Sequence, residues 1–170
     1  MNVDIQKLAK EDLKQTTGLY RAVTSELRGR GIRQWGIFYP NRFILARDLA
    51  TGALYGLKEE GLVLGAVVID RKQAKSYNGV SWQDAEGTPA VIHRLAVHPR
   101  RQGQGLGGKL LRFAEAEAEG RGCTSVRLDV YAANEAALGM YERKGYVRRG
   151  EISYPLRDIA YYCYEKCLRA

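Results

Sequence analysis

A chain of 170 residues with 45% hydrophobic and 27% charged residues can bury a core and is too apolar to stay disordered. Three cysteines, an odd number, argue against a disulfide framework, and no histidine near Cys163 and Cys167 completes a metal site, so no metal is expected. The net charge is +8, but residues 1–99 carry 14 basic and 10 acidic groups and residues 100–170 carry 13 and 9, so the excess is not banked on one element as in nucleic-acid binders. No apolar run approaches the ~20 residues of a membrane span. The opening "MNVDIQKLAK" lacks the apolar centre of a signal peptide. A cytoplasmic protein with no nucleic-acid or membrane partner is expected.

The stretch from Ile5 opens the chain as a helix, with Leu13, Leu19, Val23 and Leu27 at helical spacing and Gly29 and Gly31 to end it. An aromatic loop, "GIRQWGIFYPN", follows, and "RFILARDLATG" reads as a second short helix. Two β-rich runs flank Glu59-Glu60-Gly61, a hairpin signal that leaves both glutamates at a water-facing tip. Residues 71–89 form a connection longer than a usual loop, which predicts local structure or a function for it. "AVIHRLAVHP" is a strand that stops at Pro99. Leu106, Leu110, Phe113, Ala114 and Ala118 mark a helix stripe closed by Gly120 and Gly122. "TSVRLDVYA" is a strand, and "NEAALGMYERKG" a helix with Asn134 as N-cap and Gly145 as its stop. Two strands, "YVRRGEI" and "IAYYCYEKCL", end the chain. The order predicts an α/β or α+β fold with a mixed sheet.

The stretch "RRQGQGLGGKLL" joins a strand to a helix through a glycine turn, an arrangement that offers backbone N–H groups and a helix dipole to an anion. A nucleotide P-loop fails because Leu110 stands where Ser or Thr must hold magnesium. A dinucleotide fingerprint finds an acid in Asp129, but 102 residues precede Gly103 and too few follow Gly108 for a two-halved sheet. A ligand-free turn leaves unexplained why four glycines stand where each weakens a helix start by up to ~1 kcal/mol. The remaining pattern is Arg100-x-x-Gly103-x-Gly105, that of a pyrophosphate loop in acetyl-CoA enzymes.

"LAVHPRRQGQGLGGKLL" resembles the central acyl-CoA motif of the GNAT superfamily of N-acetyltransferases. "VYAANEAALGMYERKGY" resembles its following motif, with Asn134, Tyr141 and the Gly145-Tyr146 pair in place. The resemblance covers residues 91–149 specifically. It implies one GNAT-like acetyltransferase domain over residues 1–170, with a mixed, mostly antiparallel central sheet flanked by helices. It also implies acetyl-CoA as cosubstrate and direct attack by a primary amine in a ternary complex.

By the same resemblance, Gln102, Gly103, Gln104, Gly105, Leu106, Gly107 and Gly108 cradle the pyrophosphate, with Arg100 and Arg101 beside them. Leu95, Ala96 and Val97 pair with the pantetheine arm through backbone atoms, and Asn134 contacts that arm besides capping its helix. Tyr141 protonates the leaving thiolate. His93 stands two residues before Leu95 and has the intrinsic pKa of a proton acceptor near neutral pH, although a water or a remote carboxylate serves equally in such enzymes. Trp35, Phe38 and Tyr39 either wall the amine pocket or anchor their loop. The acceptor is expected to be a small-molecule amine. A protein or peptide N-terminus, a non-catalytic acyl-CoA-binding module and self-association as a homodimer all stay open.

Overall fold

The computed structural model describes residues 4–168. These fold as two compact units, one holding residues 4–69 and 94–114, the other residues 70–93 and 115–168.

The first unit begins with strand β1 (Asp4–Lys7), which adds to β2 (Leu54–Glu59) in antiparallel register from Asp4↔Lys58 to Lys7↔Tyr55. The sequence predicts a helix from Ile5, where the structure has this strand. "DIQK" is short, polar and largely exposed, and pairing with β2 rather than local propensity makes it a strand. A 3-10 turn over Lys10–Asp12 follows, where Asp12 accepts from the Ala9 amide at 2.9 Å and pairs with Lys58 at 2.8 Å. Only then does α1 (Leu13–Gly29) start. Asn41 caps α2 (Arg42–Ala50), its side chain accepting from the amides of Phe43 and Ile44 at 3.0 Å each. Strand β3 (Leu62–Asp70) returns antiparallel to β2 through a turn at Glu60 and Gly61, both with positive φ. The end of β4 (Pro89–Val97) lies beside β3, and the His98 amide reaches the Leu64 carbonyl at 2.8 Å.

In the second unit the start of β4 pairs in parallel with β5 (Ser125–Tyr131), and helix α4 (Glu135–Arg143) leads to the antiparallel strands β6 (Val147–Ile152) and β7 (Tyr161–Cys167). Helix α3 (Leu106–Gly120) begins in the first unit and ends in the second. Because β4 serves both units, the strands read β1-β2-β3-β4-β5-β7-β6, a mixed and mostly antiparallel seven-stranded sheet.

The 71–89 connection has a structural task within the second unit. It forms a 3-10 turn at Lys75–Gly79 and lays Tyr77, Val80 and Trp82 against a core of Val91, Ile152 and Cys163. The sheet face it covers also holds Arg127 opposite Glu165 and Asp129 opposite Cys163. Arg127 donates to Glu165 at 3.0 Å, to Gln73 at 2.8 Å and to the Asp84 carbonyl at 2.7 Å, under the ring of Trp82. Glu165 in turn accepts from the Gln83 amide at 2.8 Å. A buried ion pair is tolerable only when its remaining donors and acceptors are satisfied, and the connection supplies most of those partners.

Candidate active site

Strand β4 stops at Pro99, whose ring ends the ladder, and one 3-10 turn over Pro99–Arg101 leads into the glycine stretch. Gly103 and Gly105 adopt φ of +76° and +77°, a region costly for residues with a Cβ. A Cβ added at either would meet nothing within 4 Å apart from its chain neighbours, so backbone conformation rather than packing favours glycine there. Among the described residues, no protein acceptor meets the amides of Gly103 through Gly108. The first of these belong to the turn and the last to the open N-terminus of α3, where the helix dipole adds positive potential. The stretch therefore leaves a run of backbone N–H groups open to an anion. Arg100 stands exposed beside it, whereas Arg101 is held by Glu59 at the end of β2 and donates to Gln104 at 2.9 Å. That pairing corrects the water-facing tip expected for Glu59, whose carboxyl the Arg101 guanidinium holds below its ordinary pKa. Gln102 turns back to donate to the Val97 carbonyl at 3.1 Å, so this part of the strand end is already occupied.

Arg94, within β4, has φ +50°, which is rare for a large side chain. Tyr20 donates to its carbonyl at 2.6 Å, and its guanidinium reaches Asp48 at 2.5 Å and the Tyr39 hydroxyl at 2.8 Å. Three contacts from α1, α2 and the aromatic loop thus hold the strained backbone. Leu95 is half-buried, and Ala96 and Val97 are buried. Trp35 is buried edge-on to Tyr20, and the Tyr39 hydroxyl accepts from Arg94. Phe38 is 81% exposed beside Ile37.

In the second unit, Asn134 caps α4 by accepting from the Ala137 amide at 3.2 Å. The helix ends in a Schellman arrangement: Tyr146 donates to the Tyr141 carbonyl and Gly145 to that of Glu142, each at 3.1 Å, with Gly145 at φ +88°. Tyr141 is buried and packs edge-on against Tyr146, whose hydroxyl meets Glu115 at 3.1 Å. The Gly145-Tyr146 pair thereby fixes the Tyr141 ring. Among the described residues no group hydrogen-bonds the Tyr141 hydroxyl. Burial first and the charge of Asp129 second push the Tyr141 phenol well above its ordinary pKa, so it keeps its proton.

His93 Nε2 lies 2.8 Å from Asp70 Oδ1. Burial alone would raise the Asp70 carboxyl, but the His93 hydrogen bond and charge, with the Lys72 amide, hold it below its ordinary value. An ionised Asp70 accepts from Nε2–H and leaves Nδ1 as the basic atom. Asp129, which in the sequence stands only as the acid of the rejected dinucleotide fingerprint, is held by two hydroxyls. Tyr77 and Tyr154 both donate to its Oδ2, at 2.6 and 3.0 Å. Its signal was visible: an acid at an inward position of an apolar strand requires partners. The ladder between β4 and β5 ends at Val91↔Arg127, two residues before His93 and Asp129 respectively. Among the described residues no cluster suited to a metal ion occurs, and no helix is long and apolar enough to cross a membrane.

Comparison with known proteins agrees with this geometry. The model of the acetyltransferase (GNAT) family matches residues 19–146. The uncharacterized N-acetyltransferase YesJ of Bacillus subtilis is 32% identical over 139 residues, covering 80% of this chain and 77% of that protein. A GNAT-family acetyltransferase structure from Streptococcus agalactiae superimposes with a TM-score of 0.84 at 22% identity, covering 97% and 95% of the two chains. The PaiA N-acetyltransferase of Thermoplasma acidophilum, solved in complex with coenzyme A, gives 0.75 at 18% identity over 98% and 99%. The chain belongs to the GNAT family of acetyltransferases, and it is an acyltransferase whose cosubstrate is acetyl-CoA. The free amides of Gly103 through Gly108 and the empty space above Gly103 and Gly105 fit the pyrophosphate of that cosubstrate.

Proposed function

We propose that the protein transfers an acetyl group from acetyl-CoA to a primary amine of a small molecule, by direct attack in a ternary complex. The observation that carries the reading is the run of free amides from Gly103 to Gly108 at the start of α3. These bind the pyrophosphate, with Arg100 adding charge beside them. Leu95 and Ala96 offer backbone atoms to the pantetheine arm as an added strand does, and Asn134 contributes to the same arm. Acetyl-CoA supplies an activated thioester carbonyl and a thiolate that must leave protonated.

The chain's own groups manage the protons. Tyr141 Oη, without a hydrogen bond among the described residues and held in its protonated form, gives its proton to the departing sulfur. The carboxylate of Asp70 orients the His93 imidazole, whose Nδ1 accepts the amine proton. Trp35 and Tyr39 keep the aromatic loop in place, and Phe38 presents an apolar surface to the acceptor. The experiment is thiol release from acetyl-CoA across a panel of small primary amines and short peptides. Amine-dependent release with small amines is expected. Release with peptide N-termini alone would transfer the reading to protein acetylation, and CoA binding without release to any acceptor would leave a binding module.

A further inference from the structure

We propose that Asp129 selects the acceptor as a cation: its unoccupied carboxylate oxygen, Oδ1, receives a primary ammonium group, and Tyr77 and Tyr154 fix the carboxylate for that purpose. The proposal rests on the acetyl-transfer reading above.

The hydroxyls of Tyr77 and Tyr154 converge on one oxygen, Oδ2. The other, Oδ1, meets no donor among the described residues, and the residue is only half-buried, so this lobe is not sealed. Among the described residues of the second unit, no cation hydrogen-bonds it. Arg127, two residues earlier on the same face of β5, is engaged by Glu165, Gln73 and Asp84. His93 bonds Asp70 and reaches Asp129 only through its field. The carboxylate is thus held by neutral donors with its charge under-compensated. Its pKa records this: burial raises it, and the two tyrosines and His93 oppose the rise only in part. A site of this kind gains from a bound cation, since a hydrogen bond to a charged group is stronger than a neutral one.

The surroundings suit an ammonium with an organic body. Tyr154 packs edge-on against Tyr161 at 4.8 Å, and Tyr161 against Tyr131 at 5.4 Å, so an aromatic wall continues from the carboxylate. Ring faces attract cations and cover apolar stems. Asp129 is also the shared electrostatic neighbour of both groups proposed for proton transfer, raising Tyr141 and being lowered by His93. A carboxylate that merely strapped Tyr77 and Tyr154 to the sheet would work equally well as an amide, which accepts the same hydrogen bonds without charge.

Asp129→Asn separates the two roles. Wild type and variant are compared on primary alkylamines, which are cations at about pH 7.5, and on aromatic amines and hydrazides, which are neutral there. The KM for alkylamines should rise about 10- to 100-fold in the variant, the loss of one charge-assisted bond, while that for neutral amines stays within about 3-fold. An equal loss for both classes, or no loss for alkylamines, overturns the proposal. Melting of the CoA complex with benzylammonium chloride gives a second readout that needs no turnover. The wild type should gain stability and Asp129→Asn should not; a wild type without the gain also overturns the proposal. The shift produced by CoA alone should be equal in both proteins, and its absence from the wild type would instead defeat the acetyl-CoA reading.

Discussion

Replacing Asp48 with Ala removes one partner of the buried pair that holds Arg94, the positive-φ residue of β4. Asp48 and Arg94 are 2.5 Å apart with side chains 6% and 8% exposed, so solvent cannot replace the missing carboxylate. The Arg94 Nε is already buried without a partner, and one of its terminal nitrogens would join it. Breaking a buried pair from one side costs about 3–5 kcal/mol. For a chain of this size each kcal/mol shifts Tm by about 2–4 °C, so a fall of roughly 6–20 °C is expected by circular dichroism. Removing both charges should recover much of the loss, because an apolar pair carries no buried charge. The double variant Asp48→Leu with Arg94→Met should therefore melt above Asp48→Ala. A Tm for Asp48→Ala within about 2 °C of wild type would refute the reasoning, since it would mean the guanidinium finds water or another acceptor. So would a double variant that melts below the single one.

Further tests address the cradle and the titrating groups. Gly105→Val forces a branched side chain to φ +77°, which costs about 1–2 kcal/mol. It also fills the space above the free amides, so the rise in Tm produced by CoA should vanish; a retained rise would show that the cradle is not the binding site. His93→Gln should remove an ascending limb in the pH profile of kcat/KM. A limb that persists and follows the basicity of two different amines would rule out His93 as the titrating group. Asp129 has a folded pKa above its unfolded value, so its protonated form favours the native state. Wild type should therefore gain stability relative to Asp129→Asn as pH falls from neutral through the folded pKa, down to the unfolded value of about 3.9. Urea melts that show the opposite slope would contradict that assignment. Asp70 has the reverse sign: its carboxyl is lowered, so its contribution is present above the unfolded pKa and is lost as pH falls through the folded one. Asp70→Asn should accordingly flatten the acid limb of the stability profile.

Most of the helices and strands were legible because their signals are local. Asn41, Asn134 and Gly145 sit at caps that the sequence itself marks, and the apolar stripe of α3 has its own period. Strand β1 was not legible, because four mostly polar residues become a strand only when β2 lies beside them. The candidate site divides the same way. The glycine turn before α3 could be read from spacing, since backbone conformation at Gly103 and Gly105 is a property of those residues. The fate of Arg101, Trp35 and Tyr39 depends on Glu59, Tyr20 and Arg94, partners between 15 and 55 residues away. Asp129 stands as an acid within an apolar strand, which signals a need for partners, but which partners it has depends on tyrosines from the 71–89 connection and from the chain after β6.

The central claim is that this chain moves an acetyl group with Tyr141 supplying the proton to sulfur. The most direct measurement is steady-state turnover of wild type and Tyr141→Phe with a saturating amine, beside CoA affinity by calorimetry. Removing the hydroxyl while keeping the ring should lower kcat about 10²- to 10⁴-fold and leave CoA affinity nearly unchanged. Near-normal kcat in the variant, with chemistry shown to limit the rate, would contradict the account.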